Sequence, residues 1–178
     1  ISLVFMIAFV CFQLNAFSQS KLRVSVLTCA AGDETYSIWG HTAVRIIDSA
    51  NQQDIVYNFG TFDFEEPNFV PKFVKGSLLY FISAAPFQQF MYEYQYFKRD
   101  IDEQVLNLKD IEKIKWQKDL SENMIGNNRY YLYNFIYDNC TTRIKDGLYN
   151  NSGCTPKDIA IKSYRPYIVE ACYNTDNA

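Results

Sequence analysis

The chain reads as an α+β domain built around an antiparallel sheet, and three features of the sequence point there. Period-two runs rich in β-branched residues crowd its first third, amphipathic stretches of helical period alternate with extended runs after that, and the connections are short and polar. With 178 residues, 48% of them hydrophobic, the chain can bury one continuous core. It shows neither an internal repeat nor a second composition regime, so one domain is expected.

Residues 1–17 form an uncharged apolar run that breaks at Gln13 and Asn15, and the first charge comes at Lys21. A membrane span needs about 20 apolar residues, so this run reads as the h-region of a signal peptide. We expect a signal peptide over residues 1–19, cut near Ser18 or Gln19, with a cationic n-region missing from the sequence. The single domain is then 20–178. Cys11 follows Val10, a bulkier residue than a lipoprotein-anchor site carries, so no lipid anchor is expected there.

Residues 21–29 alternate with period two and predict a strand, followed by a turn at 30–33. Residues 42–48 and 54–60 predict a hairpin whose polar loop is 49–53. A short helix is expected over 67–75, stopped by Gly76, and a buried strand over 78–84. Pro86 opens a helix over 87–97 with Phe87, Phe90, Met91 and Tyr94 on one face. A strand over 102–108 precedes a helix over 109–125, which Gly126 ends. The aromatic stretch 130–137 predicts a strand running into Asp138 and Asn139. Both residues favour a helix N-cap, and the helix would cover 140–148.

A net charge of −3 with no cluster of Lys and Arg excludes a nucleic-acid binder. A single histidine cannot build a usual zinc ligand set, no glycine-rich phosphate loop occurs, and no cofactor is expected. Four cysteines follow Cys11. Cys154 and Cys172 flank a loop-rich stretch and could be bridged, Cys140 could be a nucleophile, and Cys29 has no obvious partner.

The chemistry is expected from His41 and Cys140. A thiol becomes a strong nucleophile when an imidazole takes its proton and a helix start stabilises the thiolate. Asp138 and Asn139 would put Cys140 in the first turn of a helix, and Gly40 allows close backbone approach before His41. On a hairpin closed at 49–53, His41 lies near Gly60, and Asn58 shares its face one pleat away. Asn58 is therefore the candidate to orient the imidazole, with Asp63 as runner-up. Arg45 and Arg143 are candidates to hold a phosphate or an internal carboxylate. A structural ion pair is an equally good account of each. The strand aromatics Phe59, Phe62, Phe64, Tyr80 and Phe81 could line an apolar groove or simply pack a core, within a composition that is 17% aromatic.

Four strings carry a family resemblance: Ala31-Gly32-Asp33-Glu34, Trp39-Gly40-His41-Thr42-Ala43-Val44-Arg45, Val56-Tyr57-Asn58-Phe59-Gly60-Thr61-Phe62-Asp63-Phe64 and Asp138-Asn139-Cys140-Thr141-Thr142-Arg143. They resemble the Lnb N-terminal periplasmic domain family of Bacteroidota-type bacteria, over roughly residues 24–167. The resemblance implies a circularly permuted papain-like (NlpC-type) fold, with the histidine ahead of the cysteine and the cysteine on a helix. It also implies a periplasmic lipoprotein N-acyltransferase, moving an acyl chain from a phospholipid donor through a thioester on Cys140 to the amine of a lipoprotein acceptor. A membrane surface could then be a partner. The same thiol and imidazole could instead serve a Cys-His amidase, peptidase or esterase on cell-envelope substrates, and a non-catalytic truncated envelope domain is the third reading.

Overall fold

The computed structural model describes residues 22–152 and 161–167. The expected signal peptide and the expected pairing of Cys154 with Cys172 lie outside the described residues.

Seven antiparallel strands form one sheet in the order β6-β4-β3-β2-β1-β5-β7. The strands are β1 (Leu22–Cys29), β2 (His41–Asp48), β3 (Gln53–Phe62), β4 (Leu79–Pro86), β5 (Ile101–Leu106), β6 (Tyr130–Leu132) and β7 (Ile161–Tyr167). The helices are α1 (Phe69–Lys75), α2 (Phe87–Tyr96), α3 (Asp110–Asn123) and α4 (Cys140–Ser152). Mixed α and β structure with an antiparallel sheet is the architecture the period-two runs predict.

The alternation of side chains along the strands builds two cores. On one face Val24, Val44, Ile46 and Phe59 pack with Trp116 and Leu120 of α3 and with Ile144 and Leu148 of α4. On the other, Leu27, Cys29, Ala43 and Val56 pack with the Phe87, Phe90, Met91 and Tyr94 stripe of α2. That stripe buries the face its helical spacing predicts.

The β2–β3 hairpin has the predicted register. Val44 pairs with Tyr57 and Asp48 with Gln53, and the same register carried forward sets His41 opposite Gly60. Between β3 and β4 the pairing slips from Asn58↔Ser83 to Thr61↔Phe81, so a bulge leaves one extra residue in β3 around Phe59 and Gly60. No local pattern in the sequence marks this bulge.

Several expectations are corrected. Residues 133–137 are not strand. The Asn134 Oδ1 accepts the Ile136 and Tyr137 N–H groups at 2.9 Å each, folding the segment into a loop that an Asn134–Asp138 bridge closes. Helix α1 starts at Phe69, because Asn68 takes left-handed backbone with φ 58°. The strand predicted over 102–108 is β5, which runs from Ile101 to Leu106. Helix α4 continues to Ser152, past the predicted end at residue 148. The strand β7 is an addition to the predicted elements. It pairs with β5 at the edge of the sheet, and Pro166 lacks a donor, which an edge strand tolerates.

Candidate active site

Helix α4 begins at Cys140, and Asn139 caps it. The Asn139 Oδ1 accepts the Thr142 N–H at 3.0 Å, and the Asn139 N–H donates to Thr142 Oγ1 at 2.8 Å. This reciprocal pair has the logic of a capping box, with a threonine in the role usually taken by glutamate. Arg143 forks onto Asp138 at 2.6 and 2.7 Å and covers the Tyr131 ring at 3.9 Å, locking the entry to the helix. The N–H groups of Cys140 and Thr141 form no hydrogen bond to a described residue, and both lie at the positive end of the helix.

His41 is the first residue of β2. Gly40 before it has φ 71°, and a Cβ there would stand 2.6 Å from the Cys29 carbonyl oxygen, so only glycine lets the chain enter β2 at this angle. The imidazole lies over the bare Cα of Gly60. A Cβ at residue 60 would be 2.5 Å from His41 Cε1 and 3.0 Å from Nδ1. His41 Nε2 is buried without a hydrogen-bond partner.

Sulfur and imidazole are close enough to change the acidity of the thiol. Burial alone pushes the Cys140 thiol up. The adjacent His41 imidazole and its charge, the Thr42 backbone N–H and the Thr141 hydroxyl outweigh it and bring the thiol down to about 7. No hydrogen bond of ordinary geometry joins Sγ to Nε2, which is common in such pairs before substrate tightens them. Burial also raises the phenols of Tyr80, Tyr131 and Tyr133 around the thiol, so these groups stay neutral. Cys29 is the contrasting case, since burial pushes its thiol up to about 12. It behaves as a small core residue.

The cleft that holds His41 and Cys140 has a volume of about 470 Å³, within the range of small-molecule sites. One lobe is aromatic, with Phe62, Phe64, Phe73, Tyr80, Tyr133 and Phe135 on its walls. Their rings meet at centroid distances of 4.3 Å for Tyr80–Tyr133 and 4.8 Å for Phe62–Phe64. The rest of the lining is mixed, with polar Asn58, Ser83, Gln89 and Glu93 beside Val56, Ala84, Ala85, Phe90 and Tyr94. Of the strand aromatics singled out in the sequence, Phe59 is core and Phe81 packs on Tyr130, so neither lines the cleft. Tyr133 and Phe135 come from the aromatic stretch 130–137 expected as strand, and nothing in the sequence marked Phe73.

The structure brings Asn58 beside His41, but its carboxamide oxygen accepts the Gly60 N–H at 2.6 Å rather than meeting the imidazole. Asp63 caps a turn by accepting the Glu65 N–H at 2.9 Å. Neither hydrogen-bonds His41. Arg45 is 6% exposed and forks onto Asp54 at 2.8 and 2.6 Å. It also reaches Glu103 at 3.2 Å and stacks on Phe87. Arg45 and Arg143 are both held in ion pairs, and neither lines the cleft. Two residues that sequence reasoning missed stand beside the dyad. The hydroxyls of Thr42 and Thr141 meet at 3.0 Å, and Thr141 Oγ1 lies 3.9 Å from Cys140 Sγ. The signal available was their position, each directly after a reactive residue.

Among the described residues no group of three His, Cys, Asp or Glu could hold a metal ion, and no helix is long and apolar enough to cross a membrane. Compared with known families, residues 8–165 match the model described as the Lnb N-terminal periplasmic domain. No curated protein and no solved structure matches the chain.

Proposed function

The chain belongs to the Lnb N-terminal periplasmic domain family, which places it in the periplasm, and from that premise we propose that it is a thiol acyltransferase domain. The donor is a phospholipid and the acceptor the N-terminal amine of a lipoprotein. The observation that carries this reading is an acidified thiol, Cys140 at about 7 beside His41, opening onto an aromatic lobe. We read the fold as circularly permuted papain-like, with the imidazole on a strand that precedes the cysteine helix.

In the first half-reaction the thiolate attacks an ester carbonyl carbon of the lipid. The C–S bond forms, the C–O bond breaks, and the proton that His41 took from the thiol passes to the departing lysophospholipid oxygen. The oxyanion of the tetrahedral intermediate is met by the Cys140 N–H at the helix start. In the second half-reaction the acceptor amine attacks the thioester and the C–N bond forms. The C–S bond breaks, and His41 takes the amine proton before returning it to sulfur. The aromatic lobe favours this over hydrolysis, because an acyl chain seated there excludes water from the thioester. The polar side chains of the lining, Asn58, Ser83, Gln89 and Glu93, are what a Cys-His hydrolase would use.

The test is the intact mass of the domain after incubation with phospholipid vesicles. An acyl-sized adduct is expected that hydroxylamine removes and that both Cys140→Ser and His41→Ala lack while remaining folded. A folded, alkylatable wild type that gains no adduct would sink the acyl-transfer reading and leave the hydrolase.

A further inference from the structure

We propose that Thr42 and Thr141 are a positioning pair that pins the start of α4 against the start of β2 and so sets the separation of sulfur and imidazole. The inference rests on Cys140 as the reactive thiol but not on the identity of the acyl donor. The two hydroxyls are 3.0 Å apart and belong to residues 99 apart in sequence. Each follows one member of the dyad, so fixing one to the other fixes the two reactive residues at one remove.

The strand explains why Thr42 does this. Successive side chains of β2 point to opposite faces, and Ala43 belongs to the α2 core while Val44 and Ile46 belong to the α4 core. Thr42 therefore faces α4, at the end of the same row. The apolar contacts of Val44 and Ile46 with Ile144 and Leu148 are non-directional, so a helix held by them alone can slide along the sheet. A hydrogen bond at the helix start removes that freedom, because it is directional and short.

The pair also orders protons. Thr141 Oγ1 lies 3.9 Å from Cys140 Sγ and donates its hydrogen to the thiolate when one forms. It must then accept from Thr42, so the chain runs from the Thr42 hydroxyl through the Thr141 hydroxyl to sulfur. Thr42 contributes a second way, through its backbone N–H on the sulfur. That contact survives any change of its side chain, which separates the two roles.

The decisive variant is Thr42→Val, which removes a hydroxyl that bonds Thr141 rather than sulfur and leaves the backbone donor in place. The readout is the rate of Cys140 alkylation by iodoacetamide against pH, resolved by peptide mass. We expect the midpoint to rise by about one unit, a roughly tenfold smaller thiolate population at pH 6, as for loss of a hydrogen bond supporting a charged group. Thr42→Ser should restore the wild-type midpoint. Thr141→Val should shift it at least as far, and the double variant no further than Thr141→Val alone, because Thr42 acts through Thr141. A folded Thr42→Val with the wild-type midpoint would overturn the proposal, as would a Thr42→Ser as impaired as the valine variant. Where Thr42→Val does not fold, Thr42→Ala removes the same hydroxyl and is read the same way. A shifted midpoint in a protein whose wild type takes no acyl group from vesicles would refute the acyl-transfer reading and leave the positioning pair intact.

Discussion

Gly60→Ala is the sharpest single perturbation of this site. The backbone at residue 60 does not have the positive φ found at Gly40, Gly76 and Gly126, so alanine meets no conformational strain there and the effect is purely one of space. The new Cβ would lie 2.5 Å from His41 Cε1, 3.0 Å from Nδ1 and 3.1 Å from Asn58 Oδ1. Ordinary contact needs about 3.5–4 Å, so the ring has to retreat by about 1 Å. The nearness and the charge of the His41 imidazole do most to make the thiol acidic. Once the ring has withdrawn, the midpoint rises from about 7 toward the 9.0 of an ordinary thiol. At pH 7 a full return would cut the thiolate fraction about 50-fold, but the remaining thiolate would be about 8-fold more nucleophilic, since reactivity rises with basicity. Alkylation at pH 7 therefore slows by no more than about 6-fold, and the shifted midpoint is the clearer readout. Peptide-resolved iodoacetamide labelling across the range from acid to about pH 10 gives it, with Cys29 staying unlabelled because it is 3% exposed. In a His41→Ala background the added methyl has room, so the same substitution should leave the midpoint alone. A wild-type midpoint in folded Gly60→Ala, or an equal shift in both backgrounds, would refute this account of the dyad.

Two other outcomes follow from the same geometry. Arg45→Leu should cost about 3 kcal/mol in urea unfolding, because fully buried Glu103 would lose the guanidinium at 3.2 Å while Arg23 stands off at 3.6 Å, yet it should not move the alkylation midpoint. An unchanged Tm with lost lipid binding would instead make Arg45 a substrate residue. Stability should also depend on pH through Cys140. Its folded value of about 7 lies below its unfolded 9.0, so the contribution is fully present above pH 9 and lost as pH falls through 7. The wild type should gain about 2 kcal/mol on Cys140→Ser between about pH 6 and pH 9. Cys29, raised to about 12, works in the opposite sense above pH 9 but is common to both proteins and cancels. A flat difference across that range would contradict the lowered thiol.

Local pattern explains what the sequence could reveal. The hairpin loop at 49–53 set a register, and that register placed Asn58 and Gly60 next to His41. Asp138-Asn139 marked a helix start at Cys140, where α4 begins. What escaped was non-local. The bulge at Phe59 and Gly60 depends on β4, so the sequence could not show that Asn58 would hold backbone instead of the ring. Arg45 looked equally able to bind substrate or a carboxylate, because only Asp54, nine residues on across the hairpin, was near in sequence, while its buried partner Glu103 is 58 residues away. The aromatic lobe is assembled from β3, α1, β4 and the loop after β6, and no single segment carries enough of it to be recognised.

The 99-residue separation of His41 and Cys140 also governs when the protein becomes reactive. Every influence that makes Cys140 acidic comes from the opposite end of the domain or from the helix it starts. An unfolded chain therefore carries a thiol no more reactive than a free cysteine. In an oxidising compartment that matters, because thiolates are the species that mispair and oxidise. A large thiolate population at neutral pH appears only after β2 and α4 have met, so the fold itself acts as the safety catch.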